Sequence, residues 1–192
     1  RFQKQVDILD HNSNLIVCGT AYQFIDSETV IYNPSKYENI KVGLLRDSCI
    51  GHPTVMIRKS ILDMNSILYD ENMEMAEDYD LWVRLIKYGE LFNLPEILLQ
   101  YRIHNNQVSN VKYELQMQKA TICRINLLSY IHVDFSENEK NIFTKLHIRN
   151  KMLCFDELKV ALKFKDTIRS KNNVYNFFDK KELFVFLKEL EH

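Results

Sequence analysis

The sequence predicts an α/β fold, α+β within this stretch, followed by an all-helical C-terminal region. Three observations predict it. Short β-branched apolar runs, Leu15–Tyr22 and Pro53–Ile57, alternate with stretches whose apolar residues recur at helical spacing. Beyond Pro95 there is no further proline or glycine, and from residue 111 onward apolar residues return every three or four positions with Lys and Glu between them. The charge balance changes sign at the same place, with 10 basic and 15 acidic residues in 1–110 and 15 basic and 11 acidic in 111–192. The expected organisation is therefore a mixed unit over 1–110, a helical region over 111–189, and a tag remnant at 190–192.

In chain order, Phe2, Val6 and Leu9 predict the end of a helix over residues 1–11. Asn12-Ser13-Asn14 predicts a turn. Leu15–Tyr22 is then a buried strand. Residues 26–48 are polar with little periodicity and predict a long functional flap. Pro53–Ile57 predicts a second strand, with a short helix from Lys59. Residues 78–88 form a helix ended by Gly89. Strands at 91–94 and 98–103 are split by a turn at Pro95-Glu96. Four helices follow at 111–131, 136–150, 153–170 and 175–189, with Asp134, Ser136 and Asp179 as N-caps.

Composition excludes several classes. A chain that is 46% hydrophobic and carries a net charge of −1 is not disordered. No apolar run approaches the ~20 residues needed to span a bilayer. Basic residues are interleaved with acids and no nucleic-acid-binding signature occurs, so no nucleic-acid partner is expected. Cys18, Cys49, Cys123 and Cys154 are widely spaced with no C-x-x-C pair, which predicts reduced thiols in a cytoplasmic protein. The four glycines among 192 residues fall far below the usual ~7%, and they leave no phosphate-cradling loop.

Three windows carry candidate chemistry. In Met75–Leu85, Leu81, Trp82 and Leu85 form an apolar stripe, and Asp78 continues that inward face at the helix N-terminus. Glu77 and Asp80 are read as exposed acids that favour the positive end of the helix dipole. A carboxylate at a pocket edge can take a proton from an incoming hydroxyl. In Ile50–Lys59, Gly51 precedes a strand beside His52 and marks a tight turn or a close approach to a ligand. In Tyr101–Ser109, His104 follows a strand end, where a neutral imidazole could supply one metal ligand.

Taken in order, these windows resemble the C-terminal half of a bacterial family 2, GT-A-fold glycosyltransferase domain. Arg1-Phe2-Gln3-Lys4-Gln5 resembles the R-F-x-x-Q helix that follows the family's D-x-D, and Cys18-Gly19-Thr20 its V-G-T strand. His52-Pro53-Thr54-Val55-Met56 is similar to H-x-T-V-M, Glu77–Leu85 to E-D-Y-D-L-W-x-R-L, and Tyr101–Ser109 to Y-R-x-H-x-x-Q-x-S. The resemblance covers residues 1 to about 110. It implies a partial GT-A mixed sheet with flanking helices, and Asp78 as the base that deprotonates the acceptor hydroxyl in an inverting transfer.

It further implies Glu77 beside that base and Trp82 as support for the acceptor wall. Gly51, His52 and Pro53 would form the donor-sugar loop, Arg102 would belong to the binding surface, and His104 would approach the metal or diphosphate. The expected cofactor is a divalent Mn or Mg ion in a longer parent protein, with none bound by this piece, since the D-x-D carboxylates are not in the sequence. Without them the piece is expected to be inactive. The expected partners are a nucleotide diphosphate sugar and a glycan or lipid-linked acceptor of cell-surface polysaccharide synthesis. A homodimer through an exposed sheet edge is a further expectation. The competing reading is a non-catalytic binding or assembly module whose basic tail contacts a partner subunit or the inner face of a membrane.

Overall fold

A single long strand organises the sheet. The computed structural model describes residues 1–25, 27–102, 113–148 and 152–190. Helix α1 (Phe2–His11) leads into β1 (Leu15–Phe24), whose first seven residues are all buried. A continuous apolar run of this kind is the mark of a strand covered on both faces. Along one edge β1 pairs in parallel with β4 (Glu90–Tyr101) over its whole length. Its other edge is shared by two short antiparallel strands, β2 (Val30–Ile31) at Tyr22 and β3 (Met56–Ile57) at Val17 and Cys18. The expected pair of strands around Pro95 is one strand. Thr20 pairs with Leu94 and Ala21 with Ile97, so Pro95 and Glu96 form a bulge, where the missing proline N–H costs no ladder bond.

Residues 26–48 are not a flap. They contain β2 and the helix α2 (Tyr37–Arg46), in which Ile40, Val42, Leu44 and Leu45 are wholly buried. The helix is enclosed on several sides, so its apolar residues show no single stripe for periodicity to find. Lys41 is buried with them, with Nζ donating to the Phe177 carbonyl at 2.6 Å and pairing with Glu38 at 2.6 Å. Arg124 closes the other end of this helix. Its guanidinium donates to the carbonyls of Leu45 (3.1 Å) and Arg46 (2.6 Å), a cation at the negative end of the dipole.

The remaining elements are α3 (Lys59–Met64), α4 (Glu77–Leu85), α5 (Tyr113–Ser129), α6 (Glu137–His147), α7 (Phe155–Tyr175) and α8 (Lys180–Glu189). The predicted 53–57 strand divides into a 3-10 turn, His52–Thr54, and β3. Helix α4 stops before Gly89, and that glycine has no positive φ. It is there because a Cβ would sit 2.6 Å from the Asn14 carbonyl, where Glu90 N–H donates at 2.8 Å. Ser136 and Asp179 cap α6 and α8, but Asp134 caps nothing and Cys154 precedes α7. One apolar cluster extends from Ile16 to Leu187, with Trp82, Phe143, Phe178 and Phe186 in its interior. A smaller one, Leu9, Leu15, Cys18 and Leu94, joins α1 to the sheet. The cysteines are free, and only Cys154 is exposed. Among the described residues no helix is long and apolar enough to cross a membrane.

Candidate active site

The carboxyl ends of two parallel strands are where ligands collect in open α/β sheets, and here β1 and β4 end in aromatic side chains. Tyr22, Phe24 and Tyr101 stand 5.7 to 5.9 Å apart, centroid to centroid, in edge and tilted contacts. Tyr22 and Phe24 are two apart on β1 and so share a face. Opposite them lie Asp47 and the turn Gly51-His52-Pro53, and the N-terminus of α4 forms a further wall. The open cavity that these residues line is about 440 Å³.

The buried Gln5 side chain of α1, Arg1 just before that helix and backbone groups of β1 hold this turn. Gln5 Nε2 donates to the carbonyls of Cys18 (2.6 Å) and Thr54 (2.8 Å), and Arg1 donates to the Pro53 carbonyl at 2.8 Å. Thr54 Oγ1 accepts from Thr20 N–H at 3.1 Å and donates to the Gly51 carbonyl at 2.7 Å. Asn93 Nδ2 donates to the carbonyls of Pro34 and Cys49, so β4 fixes the approach to the turn. Gly19 leaves room for that amide, since a Cβ there would lie 2.2 Å from Asn93 Oδ1. Gly51 is small for a similar reason: its Cβ would fall 2.9 Å from the Tyr22 ring, at an ordinary negative φ.

Asp78 and His52 line both this cavity and a second hollow of about 710 Å³ on the side of Tyr69. Burial raises the Asp78 carboxyl above the ordinary carboxylate range. The Tyr79 N–H bonded to Oδ1 at 2.7 Å and the nearby His52 pull the other way, while Glu77 adds to the rise. Tyr69 Oη lies 2.9 Å from His52 Nε2, and burial together with Asp78 and Glu77 raises its phenol. Glu77 lines only the second hollow.

Asp80 departs from the sequence reading. It is buried and pairs with Arg84 at 2.7 Å, while Arg84 also donates to the Leu68 carbonyl at 2.8 Å. The acid two positions after Asp78 is therefore a strut between α4 and the 65–70 segment. Trp82 is fully buried behind His52, with ring centroids 6.2 Å apart, and lines neither hollow. Arg102 is exposed and also lines neither. His104 lies outside the described residues. Among the described residues no group of three His, Cys, Asp or Glu is placed to hold a metal ion.

The structure thus brings together Asp78, His52, Gly51 and Pro53, with Glu77 adjacent. Sequence reasoning missed the aromatic wall. Its signal was the i, i+2 pair Tyr22 and Phe24, which falls at and just past the end of the run read as a strand.

No protein-family model matches the chain. It is similar to an uncharacterised glycosyltransferase of Methanocaldococcus jannaschii, 32% identical over 120 residues, covering 58% of this chain and 41% of that protein. The O-antigen biosynthesis glycosyltransferase WbnJ of Escherichia coli is 33% identical over 111 residues, 55% of this chain and 42% of its own length. The amylovoran biosynthesis glycosyltransferase AmsE of Erwinia amylovora is 25% identical over 133 residues, 64% of this chain and 49% of its own length. These similarities relate the chain to glycosyltransferases. It spans less than half the length of the curated relatives it matches.

Proposed function

We propose that the chain forms the acceptor side of a family 2, GT-A-type glycosyltransferase that acts in surface-polysaccharide synthesis. The reaction is transfer of a hexose from a nucleotide diphosphate sugar to a glycan or lipid-linked acceptor, with inversion. The observation that carries the reading is Asp78, a carboxylate with a raised pKa on the wall shared by two hollows. As the acceptor oxygen attacks the anomeric carbon, its proton passes to Asp78 and the nucleotide diphosphate leaves with the electron pair of the broken glycosidic bond. The raised pKa makes the carboxylate a better proton acceptor than an exposed aspartate. The names of the relatives support the reaction class, and the order of the five motifs supports the family. The chemistry assigned to this chain is binding and proton transfer alone.

The test is Asp78→Asn in the intact glycosyltransferase that carries this sequence. A lost general base lowers turnover by about 10²- to 10⁴-fold with little change in the melting temperature. The acid limb of the rate profile should lie above the ordinary carboxylate range, with activity falling as pH drops through it. His52→Ala should move that limb higher still, because the positive charge that favours the carboxylate is removed. Unchanged turnover in Asp78→Asn removes the base assignment.

A further inference from the structure

The face shared by α7 and α8 combines exposed apolar residues with a basic rim. Leu158, Leu162, Lys165 and Arg169 follow one another at three- and four-residue steps along α7, and Lys180, Phe184 and Lys188 do so along α8. The two lines meet at a groove of about 380 Å³ whose floor includes Leu162, Phe184 and Leu187. A smaller hollow of about 140 Å³, sharing Arg169, Phe184 and Leu187 with it, takes in Lys180. Beyond the groove the apolar line reaches Phe155, 72% exposed, at the start of α7.

Charge on this face is one-sided. Among the described residues lining the two hollows there are four cations, Lys165, Arg169, Lys180 and Lys188, and one acid, Asp166, which Arg169 engages at 2.7 Å. Lysine ammonium groups lie over the exposed rings: Lys159 Nζ, which also pairs with Asp156 at 3.1 Å, is 4.3 Å from the Phe155 centroid, and Lys188 Nζ is 4.7 Å from that of Phe184. Ammonium groups on long apolar stems beside half-exposed phenylalanines can reach phosphate while the rings enter the acyl boundary.

We infer that this face docks on an anionic membrane surface, which would hold the chain peripherally without a spanning helix. A second copy of the chain fits less well, because an isologous contact would set the lysine rim against itself. A protein partner also fits less well, since protein interfaces are depleted in Lys, whereas three of the four cations around these hollows are lysines. The inference is independent of Asp78 and of glycosyl transfer.

The experiment is co-sedimentation of the full chain with vesicles of phosphatidylcholine alone and of phosphatidylcholine mixed with phosphatidylglycerol. Binding should need phosphatidylglycerol and weaken with added salt. Lys180→Glu with Lys188→Glu should weaken it by at least about twenty-fold, at roughly five-fold per lost cation. Phe184→Ser should weaken it at every salt concentration, because it removes the inserted apolar group. Circular dichroism melts of both variants check that these exposed substitutions leave the fold intact. Absence of binding, equal binding to neutral vesicles, or unaltered binding by the charge-reversed variant overturns the proposal. So does a concentration-dependent dimer abolished by Phe184→Ser with no vesicle binding.

Discussion

The walls around Asp78 and the helices α6 to α8 solve the same problem, holding polar groups beside an apolar core, in opposite ways. Around Asp78 a few buried side chains reach far along the chain. Gln5 bonds to Thr54, Asn93 to Cys49, and Arg124 to Leu45 and Arg46. In the helical region most ion pairs are local and exposed, such as Lys140 with Glu137, Lys159 with Asp156 and Arg169 with Asp166, each at i, i+3, and the buried Asn172, bonded to Phe178, is the exception among the polar contacts. Long-range buried bonds position atoms to within a hydrogen bond, which a site requires. Local exposed pairs stabilise a helix and constrain little else.

If that contrast holds, stability should be sensitive to single atoms on the first side and tolerant on the second. The largest effect is expected for Gly19→Ala. The new methyl would lie 2.2 Å from Asn93 Oδ1, so the amide must leave and its bonds to Pro34 and Cys49 break. Overpacking and two lost buried hydrogen bonds together cost about 3 to 4 kcal/mol, read from chemical denaturation. Adding Asn93→Ala should restore much of the steric part, so the two changes should be strongly non-additive. Additive losses would show that Gly19 is not placed for this amide.

Arg124→Met comes next. It keeps most of the apolar stem and removes the donors to the end of α2, leaving two carbonyls unsatisfied at a cost of about 3 kcal/mol. A change within about 0.5 kcal/mol, the range of an ordinary surface substitution, would mean that water replaces the guanidinium, and α2 would then be held by packing alone.

His147, although it ends α6, is packed into the same interior and tests it through pH. Burial, followed by the charge of Arg124, lowers its imidazole from 6.5 to about 4. Between these values the unfolded chain binds the proton and the folded chain does not. Stability is therefore intact above about pH 6.5 and lost as pH falls toward about 4. From pH 7 to pH 5 the loss from this group is about 2 kcal/mol, and His147→Leu should flatten that slope in urea titrations at the two pH values. An unchanged slope would assign the acid sensitivity to other groups.

What could be read from the sequence follows the same contrast. Helices α5 to α8 were legible because their information is local: apolar spacing, and caps such as Ser136 and Asp179 placed beside them. Helix α2 was not, because its neighbours cover it on several sides and Ile40, Val42 and Leu44 alternate as a strand's residues would. Asp80 was misread for the same reason, since Arg84 makes an ordinary helical pair in sequence and only the fold buries it. At the site, the motif order pointed to Asp78, His52 and Gly51. The aromatic wall needed β1 and β4 to end side by side, a pairing between residues about eighty positions apart.

The smallest effect should come from the helical side, and its smallness is the informative part. Ser136 Oγ accepts from Glu139 N–H at 3.4 Å while Glu139 returns to Ser136 N–H at 2.8 Å, a reciprocal box that satisfies two of the free donors at the start of α6. Ser136→Ala should cost about 1 kcal/mol, and Lys140→Ala, which removes only an exposed i, i+3 pair, at most about 0.5 kcal/mol. Combined with Gly19→Ala, either should add simply, because no side chain is shared between the two regions. A coupling above about 0.5 kcal/mol would show that α6 and the Asp78 wall communicate through the common core, and the division between a positioned half and a tolerant half would then have to be abandoned.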